Sequence, residues 1–77
     1  MNTARIQEEL REWIAKKNKK SPDTIGDETN LIEEGMISSL DTLELIFFIE
    51  SLGGKIGKLR AGVFENLNVI VKTFFVI

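Results

Sequence analysis

Cysteine and histidine are both absent from the 77 residues. Without cysteine, neither a disulfide nor a thiolate metal site can staple the fold. Without histidine, the chain lacks the usual general base, the usual pH switch and the commonest metal ligand. Chemistry that needs a thiol or an imidazole must come from an attached group or from a partner, so an enzyme is not expected. An excess of basic charge is also missing: 10 Lys and Arg face 12 Asp and Glu. Nucleic acid demands clustered Lys and Arg to displace its counterions, and such a partner is excluded here. Long apolar runs are lacking too. Ile6 to Ile14 is broken by Gln7, Glu8, Glu9, Arg11 and Glu12, unlike a signal peptide. Val69 to Ile77 contains Lys72 and falls well short of the ~20 residues of a membrane span. The expectation is one small cytoplasmic domain, monomeric and without a membrane span. A chain of this size buries only about 60% of the surface it exposes when unfolded.

What remains is helical in pattern. Ile6, Leu10, Trp13 and Ile14 share one face of a first helix, capped by Thr3 or Asn2 and running to about Lys17. Glu8, Glu9 and Glu12 lie toward its start, and Lys16, Lys17, Lys19 and Lys20 at its end, as the helix dipole favours. Pro22 is expected to stop it. A long connection over residues 18–37 follows, with Ile25 and Leu31-Ile32 as apolar anchors. Ser38 is a good N-cap for a second helix, and Asp41 three positions on completes a capping-box-like pattern. That helix should run from Ser39 to about Leu52 and end at Gly53-Gly54. A short helical turn is expected around Leu59 to Phe64. A last helix, capped by Asn66, should run from about Leu67 to Val76, with Leu67, Ile70, Val71 and Phe74 on one face. No segment alternates with period two and no hairpin turn links apolar runs. The fold class is therefore all-α: a small four-helix bundle of three main helices and one short one.

The second helix carries more apolar surface than one small core can cover. At about 100° per residue, Leu45, Ile46, Ile49 and Leu52 form one face, with Phe48 at its border. Leu40, Leu43 and Phe47 fall nearly opposite, interleaved with Glu44, Glu50 and Ser51. A helix buried on all sides would explain them in a large protein. In a chain this small, an exposed apolar stripe rimmed by carboxylates points to a partner-binding surface. Asp41, Glu44 and Glu50 would steer basic partners toward it, in a salt-sensitive manner.

Ser39 sits at the first turn of that helix, where free backbone N–H groups and the positive dipole end favour an anion such as a phosphate ester. By local chemistry alone, Ser38-Ser39 reads as a simple cap. The chain from about Asn30 to Glu50, however, resembles the phosphopantetheine-carrying segment of acyl carrier proteins. Ser39-Leu40 matches that family's modified serine and the leucine after it. Asp41 to Leu45 and Glu50 continue its acidic, apolar second helix. Thr29-Asn30-Leu31-Ile32 and Gly35 resemble its approach loop, Ile56 the anchor of its next loop, and Phe64 to Leu67 with Ile70 and Phe74 its last helix. One position departs: Ser38 stands where the family has Asp. Serine still caps a helix but supplies no charge.

The resemblance implies a carrier, not a catalyst. A phosphopantetheinyl transferase would join the 4'-phosphopantetheine of coenzyme A to Ser39, importing the thiol that the chain lacks. Acyl or aminoacyl groups would ride on it as thioesters, as in fatty acid biosynthesis or related pathways. Acyl-loading and acyl-processing enzymes with basic docking patches would read Leu40, Asp41, Leu43, Glu44, Phe47 and Glu50. The alternative is an unmodified helical protein-interaction module that keeps the same fold and surface. The remaining features have simpler explanations. The lysines near the end of the first helix read as a solvated helix end, Glu33-Glu34 as loop charge, and Trp13 as core. Phe47-Phe48 and Phe74-Phe75 read as packing; under the resemblance they would either line an acyl cavity or fill it.

Overall fold

In a computed structural model the described residues are 3–57, 59 and 62–75. They form three α-helices and no strand: α1 (Thr3–Lys17), α2 (Ser39–Ser51) and α3 (Leu67–Phe74). A single 3-10 turn, Pro22–Thr24, lies between the first two. The expected short helix around Leu59 to Phe64 falls partly on residues 60 and 61, which lie outside the described residues. Gly62 to Phe64, which are described, form turns. Likewise, Asn2, a candidate cap for α1, and Val76, the expected end of α3, lie outside them.

The ends of α1 and α2 and the start of α3 have identifiable causes. α1 stops before Pro22 can act. Lys19 takes a left-handed conformation, with φ 55°. Lys20 N then donates to Ala15 O (2.9 Å) and Lys19 N to Lys16 O (3.2 Å), which satisfies the last carbonyls. Pro22 instead opens the 3-10 turn, where its fixed φ and missing N–H are harmless. α2 ends in the same way through glycine. Gly53 has φ 97°, Gly53 N donates to Glu50 O (3.0 Å) and Gly54 N to Ile49 O (2.9 Å). Asn66 caps α3 by accepting from Val69 N at 2.9 Å.

The core takes one face from each helix. Ile6, Leu10 and Ile14 of α1 meet Leu45 and Ile49 of α2 and Leu67, Ile70, Val71 and Phe74 of α3. Phe74 stacks on Phe64, ring centroids 5.7 Å apart. Ile25 and Leu31 are fully buried, so the long connection is packed down as expected. Ile32 is not an anchor: it is 51% exposed. The Asn30 side chain explains this. Its Oδ1 accepts from Ile32 N (3.2 Å) and Glu33 N (2.9 Å), turning the chain so that Ile32 sits at a loop tip. Trp13 is also less central than its helical face suggests. It lies half-buried at the edge of the core, stacked on Phe48 at 5.5 Å.

Gly54 is the most closely packed of the glycines among the described residues. A Cβ built there would lie 2.5 Å from Ile49 Cγ2, 2.9 Å from Phe75 Cζ and 3.0 Å from Ile49 O. At Gly57 it would meet nothing within 4 Å. Gly54→Ala should therefore cost about 1–3 kcal/mol of overpacking, while Gly57→Ala should stay within about 0.5 kcal/mol of wild type. Urea unfolding of the two variants checks this; equal midpoints would refute it.

Candidate functional site

The two adjacent serines do different jobs. Ser38 is the cap. Its Oγ accepts from Asp41 N (3.3 Å), and Asp41 Oδ2 accepts from Ser38 N (2.9 Å), a reciprocal capping box. Ser39 is the first helical residue and is exposed. Its Oγ has no hydrogen-bond partner among the described residues, and only its carbonyl is used, accepting from Thr42 Oγ1 at 2.6 Å. Capping therefore accounts for Ser38 and leaves the Ser39 hydroxyl unassigned.

The loop before this helix is fixed from behind. Asn18, just past α1, donates from one amide nitrogen to Ile14 O (2.8 Å) and Met36 O (2.9 Å). Met36 N and Ile37 N both donate to Leu31 O, while Leu31 N donates to Glu65 O at 2.8 Å. Met36 and Ile37 are buried. Ser39 thus projects from a loop tied to α1 and to the segment before α3, although it lies on the surface.

The expected stripe is exposed. Leu40 is 77% accessible, Leu43 59% and Phe47 71%. Leu45 and Ile49, on the opposite side, are fully buried. At about 100° per residue, Ser39 and Glu50 border the stripe on one side, and Glu44 and Ser51 on the other. All four border residues are exposed.

The acidic residues are not equivalent. Lys17 reaches across from α1 and pairs with Asp41 Oδ1 at 3.2 Å and with Glu44, a partner 27 positions away in sequence. Its ammonium also lies over the Trp13 ring, 5.4 Å from the centroid. A shallow groove of about 320 Å³, lined by Trp13, Lys16, Lys17 and Glu44, runs alongside. Lys17 is therefore no freely solvated helix end. Glu50 has no ion-pair partner among the described residues. The sequence offered no local signal for the Lys17 contact, which depends on how α1 and α2 meet.

The same contacts set the titration. The Ser38 amide holds the Asp41 carboxyl below its ordinary range, helped by the Ser38 hydroxyl and Lys17 and opposed by partial desolvation. The hydrogen bond to Glu44 raises the Lys17 ammonium above its ordinary range, with Asp41 adding to the effect and desolvation opposing it. Among the described residues no three His, Cys, Asp or Glu gather to hold a metal ion. None of the helices is long and apolar enough to cross a membrane.

No protein-family model matches the chain, and neither a curated protein nor a solved structure is significantly similar to it.

Two predictions follow from the exposure and charge pattern of α2. Phe47→Ala should change folding stability by less than about 0.5 kcal/mol, whereas Leu45→Ala should cost about 2–5 kcal/mol. Denaturant midpoints that fall together would contradict the division into two faces. The second concerns pH. Asp41 has a depressed folded pKa, so its contribution is present above the unfolded value of about 3.9 and is lost as pH falls through the folded one. Lys17 has a raised folded pKa, so its contribution is present below about 10.4 and is lost as pH rises through the folded one. The melting-temperature gap between wild type and Lys17→Gln should be widest between these limits and should close toward both extremes. A gap unchanged at strongly acid pH would exclude the ion pairs as its source.

Proposed function

We propose that this chain is an acyl-carrier-type protein with 4'-phosphopantetheine attached at Ser39. One observation carries this reading. The Ser39 hydroxyl is exposed at the start of α2, is not used in capping, and stands beside an uncovered apolar stripe on the same helix. Attachment forms a phosphoester between Ser39 Oγ and the pantetheine phosphate as the diphosphate of coenzyme A is cleaved and adenosine 3',5'-bisphosphate leaves. The transferase supplies the base for the hydroxyl proton, because the chain has no histidine. The ester oxygens then lie near the free N–H groups of the first turn, where negative charge is favoured. The arm's thiol carries an acyl or aminoacyl group as a thioester. Loading and processing enzymes bind over Leu40, Leu43 and Phe47. A complete carrier bundle of four helices, with the short one around Leu59 to Phe64, belongs to the same proposal, as does a monomeric cytoplasmic protein.

A second reading is an unmodified interaction module. Ser38 favours it, because no carboxylate stands immediately before Ser39 to assist a metal-dependent transferase. The same stripe would then bind a partner with no covalent arm.

Intact mass after incubation with coenzyme A and a promiscuous transferase tests the proposal. A mass gain is expected in wild type and in Ser38→Ala, and none in Ser39→Ala. The Ser38→Ala variant should also lose about 1 kcal/mol of stability with its cap. No gain in wild type, or a gain that survives Ser39→Ala, overturns the assignment. If protein from the native host is entirely unmodified, the module is the better reading.

A further inference from the structure

We propose that the acyl chain carried at Ser39 lies along the outside of α2, over Leu40, Leu43 and Phe47, and does not enter the bundle. The inference rests on the carrier reading and deepens it by giving the cargo a place. Register supplies the first argument. Ser39, Leu43 and Phe47 stand at i, i+4 and i+8, so they form one row on the helix surface, with Leu40 beside it. Helix side chains lean toward the N-terminus, so Leu43 covers the first turn and Phe47 the turn after it. At 1.5 Å per residue the row from Ser39 to Phe47 is about 12 Å long. The pantetheine arm is flexible, and the chain at its end can turn back onto this exposed apolar row.

The core supplies the second argument. Leu31, Leu45, Ile49 and Ile70 are each 0% exposed, so none of them borders a space that admits a water molecule. Trp13 stacks on Phe48, and Phe64 on Phe74. Interiors packed this closely resist added methylenes. A chain entering the bundle would have to part α2 from its neighbours, whereas the stripe is already open. Charge supplies the third argument. One Lys17 ammonium faces both Asp41 and Glu44, which leaves a net negative charge on that border. Glu50 gives the other border a second. A free fatty acid would bring its own carboxylate against both, and like charges disfavour that match. A thioester-linked chain is neutral, so the apolar occupant these borders accept is a tethered one. An enzyme docking over Leu40, Leu43 and Phe47 then displaces the chain, and docking and cargo release become one event.

The chain has no cysteine, so Ser39→Cys introduces a unique thiol. Its thiolate attacks the divalent sulfur of an alkyl methanethiosulfonate, forms a disulfide to the alkyl group and expels methanesulfinate. Propyl, octyl and dodecyl groups are attached in this way to methyl- and ring-labelled protein. In parallel, a promiscuous transferase loads wild type from dodecanoyl-coenzyme A. Nuclear Overhauser contacts are expected from the octyl, dodecyl and dodecanoyl chains to the Leu40 and Leu43 methyls. The two longest chains should also reach the Phe47 ring, with the Leu45, Ile49 and Ile70 methyls unshifted. Phe47→Ala should lose the distal contacts and keep those at Leu43. Free dodecanoate should shift nothing on the stripe of wild type. Contacts to Leu45, Ile49 or Ile70 overturn the proposal, because the chain then lies in the core. A stripe that no chain touches overturns it too and leaves that surface to protein partners alone. Equal stripe shifts from free dodecanoate also overturn it, because occupancy would then need no tether. The alkylated variant does not depend on the transferase. Stripe contacts there with no mass gain in wild type remove the carrier reading alone, whereas core contacts with a normal mass gain remove only this inference.

Discussion

Leu31 ties three parts of the chain together with one residue. Its side chain is fully buried in the core, its N–H donates to Glu65 O just before α3, and its carbonyl receives Met36 N and Ile37 N just before α2. A buried peptide group left without partners costs about as much as a lost hydrogen bond, so these links cannot be surrendered singly. Asn18 adds a fourth connection by joining the end of α1 to Met36 O. The start of α2 is therefore positioned by the core rather than by α2 itself. Ser38, Ser39 and the stripe behind them inherit that position. A long loop becomes a rigid mount because its few apolar residues and its backbone groups are used at the same point.

The stripe shows the limit of a core this small. α2 is apolar on two sides, and the bundle reaches only one of them. Full burial of a Leu or Phe side chain is worth about 1.5–3 kcal/mol, and Leu40, Leu43 and Phe47 leave most of that unrealised in the isolated chain. This is a liability unless something covers the patch. The border carrying Glu44 and Glu50 keeps the stripe from being a uniformly sticky surface.

Local chemistry was legible in the sequence, whereas meetings between distant segments were not. The Ser38–Asp41 capping box, the Asn66 cap, the glycine end of α2 and most of the buried face of each helix could be read because each depends on residues a few positions apart, though Trp13 and Ile46, expected on those faces, are only half-buried. The exposed stripe was legible for a different reason: chain length limits how much a core can cover. What escaped depended on tertiary placement or on an unusual backbone. Lys19 takes a left-handed conformation that lysine seldom adopts, so α1 ends before the proline that seemed to end it. Ile32 is apolar by type but is turned outward by its neighbour Asn30. Lys17 meets Glu44 across 27 positions, a separation at which no helical spacing rule applies.

The charge arrangement also alters what salt should do at this surface. Ionic strength near 0.15 M screens exposed charges beyond about 8 Å. Three free carboxylates along one helix would give a long-range field and a steep salt dependence. Lys17 in contact with Asp41 and Glu44 offsets only one of those charges, because closely paired opposite charges cancel one for one at distances larger than their separation. What remains is a net negative charge at the Asp41, Glu44 and Lys17 group and another at Glu50, together with apolar surface whose burial is strengthened by salts that are excluded from proteins. Under the proposed function, a partner on α2 would meet the apolar stripe and a residual negative charge on both of its borders.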